Sequence, residues 1–523
     1  MAKKITCCIL AAGFGNRMGE IGENLNKSLI SIKQKSVISR IIENFPEDTS
    51  FVIAIGYKHD QVKQFLKITH PKLNIKFVKI KDFYSPLSGP GLSLLKCKKY
   101  LQKQFYFVSC DTLFSKKIIK RNLKYNFLGV GMKNHGYKDY CNLEVNSKKI
   151  TNIYDKVKPK NKFFNFSGLG FIYDYKQFWD FRHESVNNKT FEISLLLEPF
   201  IKKLDVKILK MFWEDVGTKE KLSKIRTKYE KFDFSKPDEQ IYIENDKVIK
   251  FHTNFEIQKK KYNKSLINKR VFPKCSYSNN FLVYKYQHGL NLYNHNSPKI
   301  FKNYLTWLKK NLWNKKSVQK KELYNACINF YKHKTESRLK LFLSRVNGRD
   351  SFLKINSSIY PNINEIIRKI DFNKICSSGI STFIHGDLHF DNTIYDKDKN
   401  TFKLIDWRSD FAGKLAYGDQ YYDLSKLYGG LLMDYSQIKK NDFIFKNYNQ
   451  NNVFKFNKTK NYQKYIKIYE NFLKLNNFNI GKIKIIVGLI YLNMAPLHQK
   501  PFDKLLFCLS KEFLSKGLKE LND

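Results

Sequence analysis

At 523 residues the chain is too long for one ordinary hydrophobic core, so two to four domains are expected. A hydrophobic share of 42% and an aromatic share of 15% exclude a disordered protein. The formal net charge of +48 invites nucleic acid, but only 11 of the 95 basic residues are arginine, and the lysines are spread along the whole chain rather than gathered on one face.

No nucleic acid is therefore expected. Small anionic substrates fit the charge, as does a peripheral contact with a negatively charged membrane surface. The nine cysteines form no CxxC pair, which removes a zinc or disulfide framework and implies a reducing compartment. The apolar run Ile5 to Ala12 is too short for a signal peptide and passes straight into a glycine loop. Ile485 to Leu492 is too short to cross a bilayer. A cytoplasmic protein is expected.

In chain order, Ile5 to Leu10, Phe51 to Ile55 and Phe105 to Ser109 are predicted buried strands, and Val37 to Asn44 and Asp60 to Ile68 carry helical spacing. This alternation predicts an α/β domain over 1–228 with a mixed, mostly parallel sheet and flanking helices. Leu10-Ala11-Ala12-Gly13-Phe14-Gly15-Asn16-Arg17-Met18-Gly19 follows the first strand. Its small residues admit phosphates to the backbone N–H groups. A dinucleotide loop would need a further glycine at Met18. Instead basic residues follow, Arg17 and then Lys27, as a triphosphate losing pyrophosphate requires. Asp111, at the end of a strand, and Asp215, in Trp213-Glu214-Asp215-Val216-Gly217-Thr218, are candidates to hold Mg²⁺.

These segments together resemble the sugar-phosphate nucleotidyltransferases, including the choline-phosphate cytidylyltransferases, over residues 4 to 225. The resemblance implies a Rossmann-like fold and in-line attack by a substrate phosphate on the α-phosphate of CTP or UTP, with CTP favoured. It also implies base contacts from Gly56, Gly89 and Gly91. A substrate lysine would be Lys156 or Lys158. Asn26 stands where that family usually has proline.

A linker is expected over 229–240 and a second domain over 241–523, with a small lobe to about 290 and a helical lobe beyond. Ile241 to Ile243, Lys247 to Phe251 and Phe281 to Tyr286 are predicted strands. Ile300 to Leu312 and Asn461 to Leu475 are predicted helices. Lys446 to Lys460, rich in Asn and Lys, is expected to be a solvated loop. Two short strands, Thr382 to Ile384 and Phe402 to Ile405, bracket His385-Gly386-Asp387-Leu388-His389-Phe390-Asp391-Asn392 and lead to Asp406. Asp387 and Asn392 stand five apart, as in a kinase catalytic loop, and Asp406 follows at the place of the magnesium carboxylate. Asp387 would orient and deprotonate an acceptor hydroxyl, with Asp391 beside it as an acceptor contact. Asn392 and Asp406 would hold Mg²⁺ against ATP. Lys250 has the setting of the phosphate lysine, with Glu256 or Glu244 as its partner, and Tyr286 lies in the expected adenine hinge.

HGDLHFDN, the IDW segment and the later Tyr422-Asp423-Leu424 resemble the aminoglycoside phosphotransferase and choline kinase superfamily over about 241 to 432. The resemblance implies a two-lobed, protein-kinase-like α+β domain. No glycine lies between Gly217 and Gly289, so the glycine-rich loop of protein kinases is missing, which favours small-molecule kinases. The two halves together predict a bifunctional enzyme. One half would phosphorylate a sugar, polyol or amino alcohol, and the other would convert the phosphate to a nucleotide-activated precursor for capsule or another surface glycan. A chain with only one catalytic half is the alternative, and a nucleic-acid-binding protein a remoter one. The oligomeric state is not legible.

Overall fold

The computed structural model describes residues 4–180, 190–228, 238–295, 297–348, 350–448 and 451–522. They fall into two compact units, 4–228 with 238–253, and 254–522. Residues 229–237 of the expected linker lie outside the described residues.

The first unit is built on a nine-stranded sheet. Its strands are β1 (Thr6–Ala11), β2 (Ser50–Ile55), β3 (Asn74–Lys79), β4 (Phe105–Ser109), β6 (Asn126–Gly131), β7 (Cys141–Asn146), β8 (Lys149–Asp155), β9 (Phe163–Ile172) and β10 (Val206–Met211). Their order is β3-β2-β1-β4-β9-β6-β10-β8-β7. β5 (Thr112–Phe114) stands apart and pairs antiparallel with β11 (Trp213–Asp215). β1 is buried along its whole length, as an unbroken apolar run predicts for a central parallel strand. The sheet is less parallel than the alternating pattern suggests. β3, β2, β1 and β4 run parallel, but β9 pairs antiparallel with β4, β6 and β7.

The helices α1 (Val37–Ile42), α2 (His59–Thr69), α3 (Pro90–Lys96), α4 (Ile193–Lys203) and α5 (Lys219–Thr227) flank this unit. One core under the sheet joins Cys8, Leu10, Phe105 and Phe107 to Leu196, Leu197 and Phe200 of α4. The hairpin β12 (Glu239–Glu244) and β13 (Lys247–His252), read from sequence as the start of the second domain, has contacts in this first unit. Tyr242 Oη donates to Leu29 O at 2.5 Å, and the amides of Ser31 and Ser36 donate to the side chains of Gln240 and Glu244 at 3.1 and 2.7 Å.

The second unit is mostly helical. It runs through α6 (Phe255–Ile267), β14 (Cys275–Ser278), β15 (Phe281–Lys285), α7 (Pro298–Asn311) and α8 (Lys320–Cys327). A π-helical turn over Ile328–His333 leads into α9 (Lys334–Arg345). β16 (Thr393–Asp396) and β17 (Thr401–Leu404) pair antiparallel beside the His385–Asn392 loop. α10 (Gln420–Leu432), α11 (Tyr462–Leu475), α12 (Ile480–Met494) and α13 (Phe502–Asn522) complete the core.

Two expectations change here. The Asn-Lys-rich patch is not a loop: Phe443–Tyr448 and Asn451–Phe456 form β18 and β19 of a hairpin. Its alternation of large apolar and polar residues prevails over its composition, with Phe445 beside Phe352 and Phe443 beside Phe502. The apolar run at 485–492 also belongs to a longer segment, Ile480–Leu497, which is apolar enough to cross a membrane by length and composition. In this structure 72% of it is buried inside the protein.

Lys511 on α13 and Asp350 form a buried ion pair at 2.8 Å, and the Asp350 carboxylate also accepts from the amides of Phe352 and Ile363. Removing one partner strands the other charge in the core. Asp350→Ala is expected to lower the stability of the second unit by about 3–5 kcal/mol. The double variant Asp350→Leu/Lys511→Met should recover much of that loss, and urea denaturation of the three proteins checks the prediction.

Candidate functional site

In the first unit the charged residues meet at the C-terminal ends of β1 and β4. Asn26 anchors the loop that carries Lys27. Its side-chain amide donates to Ala11 O at 3.1 Å and Tyr57 O at 2.7 Å, while its carbonyl accepts from the Ser28 amide and caps the turn at Lys27–Leu29. The asparagine thus does by hydrogen bonding what proline would do by rigidity. Lys27 Nζ then reaches Asp111 Oδ2 at 2.8 Å.

Burial alone would raise the Asp111 carboxyl, but the Lys27 ammonium and the Arg17 guanidinium outweigh it and hold it below the usual carboxylate range. Burial would likewise lower Lys27, and Asp111 more than reverses this. Asp215 is brought alongside by the β5–β11 pair, in which it faces Thr112. A methyl group at Gly217 would lie 2.9 Å from Asp215 Oδ1 and 3.1 Å from Asp111 Oδ2, so the two carboxylates converge on that glycine and no side chain fits between them. Lys221 Nζ holds the other Asp215 oxygen at 2.7 Å.

These are hard oxygen donors of the type magnesium takes, with several positions left for phosphate oxygens. Among the described residues no group of three or more His, Cys, Asp or Glu side chains gathers to hold a metal, so phosphate would have to complete the shell. In the structure lysines supply the compensating charge at both carboxylates.

The loop Leu10–Arg17 lies beside this cluster. Gly15 adopts φ +77°, and Gly13 has open space around it. Gly56 packs on the loop so closely that a Cβ would meet Ala12 O at 2.6 Å. Gly89 and Gly91 press against the backbone of Phe191 and Glu192, where a Cβ would come within 2.5 Å and 2.4 Å of main-chain oxygens. Close backbone packing accounts for these two glycines. Lys156 Nζ lies 3.5 Å from Glu192 Oε1 and 3.6 Å from Asp155 Oδ2, and both Lys156 and Lys158 are exposed. Burial raises the Glu192 carboxyl against the pull of Lys156.

In the second unit the His385–Asn392 loop is fixed from below. The amides of His385 and Gly386 both donate to the buried Asp423 carboxylate at 2.7 Å, and Trp313 Nε1 donates to it at 3.3 Å. His385 bridges inward, its Nε2 3.0 Å from Ile405 O and its Nδ1 accepting from the Asp387 amide at 3.2 Å. Asn392 Nδ2 donates to Asp387 O at 2.9 Å, and the Ile405 amide donates to Asn392 O at 2.9 Å. Asp387, Asn392 and Asp406 are thereby brought to one place. Asp406 sits in the left-handed region at φ 56°, with its carboxylate 3.6 Å from Lys261.

Asp387 is gripped by Lys426 at 2.9 Å and lies 3.7 Å from His389 Nε2. Burial alone would raise its carboxyl, but Lys426 and His389 outweigh burial and hold it well below the usual range. Asp391 accepts from Asn291 Nδ2 at 2.9 Å, and burial raises its carboxyl. Lys250 is 3% exposed on β13 of the first unit. Glu256 lies in the first turn of α6, exposed and 3.7 Å from Lys259, and Glu244 is engaged by Ser36. Tyr286 is partly buried, its ring 5.2 Å from that of His288.

Residues 7–125 match the MobA-like NTP transferase domain family. The first unit therefore contains an NTP transferase domain. The bifunctional protein GlmU of Methanocaldococcus jannaschii is 27% identical over 215 residues, 40% of this chain. The chain spans half the length of that relative. Solved structures that match part of the chain include the inositol-1-phosphate CTP transferase from T. maritima, 16% identical, covering 43% of this chain and 98% of that one at TM-score 0.36. The CTP:phosphocholine cytidylyltransferase from Streptococcus pneumoniae is 20% identical over the same shares, also at TM-score 0.36.

Sequence reasoning missed Lys221, Glu192, Lys261, Lys426 and the loop-anchoring role of Asp423. Lys221 carried a signal, three residues after the helix-capping Thr218 and six after Asp215. Lys426 lies two residues beyond the Tyr422-Asp423-Leu424 segment and carries no local mark.

The buried His385 supplies a pH dependence. Burial lowers its pKa to about 3, so the folded form binds a proton less readily than the unfolded chain. Stability is then lost as pH falls below about 6.5, and the loss continues until the folded form protonates near 3. Between pH 7.5 and 5.0 the second unit should lose about 2 kcal/mol from this group. Urea midpoints at the two pH values should separate wild type from His385→Asn by that amount.

Proposed function

We propose that the chain is a bifunctional enzyme. Its first unit transfers a nucleotidyl group from a nucleoside triphosphate to the phosphate of a small molecule, releasing pyrophosphate. The observation that carries this reading is the convergence of Asp111 and Asp215 on Gly217, with Lys27 bound to Asp111 and Arg17 near both. Two anions must meet for a phosphate to attack a triphosphate, and fixed cations offset their repulsion. Magnesium held by Asp111 and Asp215 would supply further charge at the α-phosphate. CTP is the favoured nucleotide and UTP the other candidate, on the likeness of the loop motifs to choline-phosphate cytidylyltransferases.

The second unit is read as an ATP-dependent kinase of a hydroxyl compound. Support comes from the joint placement of Asp387, Asn392 and Asp406. The Asn392 amide nitrogen donates to Asp387 O and lies 3.1 Å from His389 Nε2, which leaves its carbonyl oxygen for a cation shared with Asp406. Asp387 would orient the acceptor hydroxyl. The kinase product is the substrate class that the first unit consumes. The pair would then supply a nucleotide-activated unit for capsule or another surface glycan, drawing on cytoplasmic nucleotide pools.

With ATP, CTP or UTP and a panel of hydroxyl compounds, the protein should release both ADP and pyrophosphate, and chelation of magnesium should stop both. Asp387→Asn is expected to lower ADP formation by about 10²–10⁴-fold while sparing pyrophosphate release from a supplied phosphate substrate. Lys27→Met should show the reverse pattern, with about 10²–10³-fold less pyrophosphate release. Loss of both activities in either variant, with the fold intact by circular dichroism, refutes the two-site reading.

A further inference from the structure

The second unit holds cations that the chemistry above does not use. Lys426 donates to Asp387 at 2.9 Å. Lys334 and Arg338 stand one turn apart on α9, on one face of that helix, and both are partly buried. The Lys334 ammonium lies 4.2 Å from the centroid of the Phe330 ring, and the Arg408 guanidinium lies 4.9 Å from the same centroid. Phe330 belongs to the π-helical turn, a distortion that often marks a functional place in a helix. One ring therefore gathers a lysine and an arginine from separate elements.

Their charges are poorly compensated. Lys334 is pushed down to about 6 by burial, then by Arg408, Lys426 and Arg338, with Asp387 pulling the other way. Arg338 is lowered by burial and by Arg408. Arg408 Nε donates to the main-chain oxygen of Asp410 at 3.1 Å, while the Asp410 carboxylate accepts from Lys260 at 3.2 Å. Among the described residues, Lys334, Arg338 and Arg408 form no ion pair with a carboxylate. Aromatic faces offset only part of the cost of drawing such charges together. An anion in their midst would repay the rest.

We propose that the acceptor of the second unit is a hydroxyl compound that also carries an anionic group, a carboxylate or a phosphate, held by Lys334, Arg338 and Arg408 while its hydroxyl meets Asp387. This rests on the phosphotransfer reading given above and narrows it. In the step itself the acceptor oxygen bonds to the γ-phosphorus of ATP. The bond from that phosphorus to the β–γ bridging oxygen breaks, and ADP leaves with the electron pair. The hydroxyl proton passes to Asp387 and on to solvent. A quaternary ammonium acceptor would enter against the field of these cations, whereas such ligands are ordinarily held by uncharged aromatic cages. Amino alcohols, one of the acceptors expected from sequence, therefore fall behind hydroxyl compounds that carry an anionic group.

The test follows ADP release by the full-length protein with magnesium and ATP. Glycerate, gluconate and glucose 6-phosphate are compared with glycerol, glucose and choline. At least one anionic acceptor should show kcat/KM about a hundredfold above its neutral counterpart. The glycerate and gluconate arms separate a carboxylate from the phosphate of glucose 6-phosphate. Arg338→Glu should raise KM for that acceptor about tenfold or more, and Arg338→Lys should restore much of it. Turnover of glycerol, glucose or choline at equal or higher kcat/KM overturns the inference and leaves the kinase reading standing. So does an Arg338→Glu effect on KM for ATP rather than on the acceptor, which would assign the cations to the nucleotide. ADP release with no acceptor above the Asp387→Asn background overturns the kinase reading and the inference with it.

Discussion

A partly buried carboxylate kept ionised by a lysine is the constraint on which each unit's site depends. Asp111 with Lys27 and Asp387 with Lys426 show the same contact, at 2.8 and 2.9 Å. Burying either charge alone would cost several kcal/mol, and the acid would respond by taking up a proton. With the lysine in place both carboxylates stay charged. The surroundings follow from this need. Asn26 must hold the Lys27 turn, and α10 must present Lys426 three residues after Asp423 on the same helix. Loop, helix and charge are therefore set together rather than separately.

The two sites use that arrangement differently. In the first unit a second carboxylate, Asp215, has its own lysine, and the two acids approach across a residue without a side chain. Such a pair is stable only while cations stay close. A divalent ion bound there would take over charge compensation from Lys27 and Lys221 and leave those ammonium groups for phosphate. In the second unit the deeper carboxylate, Asp423, accepts two adjacent main-chain amides at 2.7 Å and so shapes the turn that presents Asp387. Asp423 acts on the site through the backbone, as a positioning residue.

Much of this was legible where the signal is local. The strands at 6–11, 50–55 and 105–109 are continuous apolar runs, and the loops after them carry glycine or a charged residue at the turn. Asp387 and Asn392 were legible because their spacing within one loop fixes their proximity. Partners chosen by tertiary packing were not. Nothing local marks Lys426 as the partner of Asp387, or says that Glu244 will accept from Ser36, more than two hundred residues earlier in the chain. The hairpin at 443–456 was hidden for another reason. Its Asn and Lys content reads as solvated, and only the placement of Phe443, Phe445 and Phe454 shows a strand with one covered side.

The ion pair at Asp387 also limits what that residue does. A carboxylate held well below its ordinary range is a weak proton acceptor, which argues against a base that removes the acceptor proton early. Phosphoryl transfer does not require one. In a loose transition state the acceptor oxygen forms little bond before the leaving group departs, so its proton stays in place until late and orientation matters more than basicity. On this view Lys426 fixes the direction of the Asp387 carboxylate at the expense of its basicity. The Asn392 amide, which donates to the main-chain oxygen of the same residue, fixes the loop around it. On the kinase reading the site would gain a hydroxyl aimed along the line of attack, and the surrounding cations would act on the charge of the groups being joined rather than on the proton.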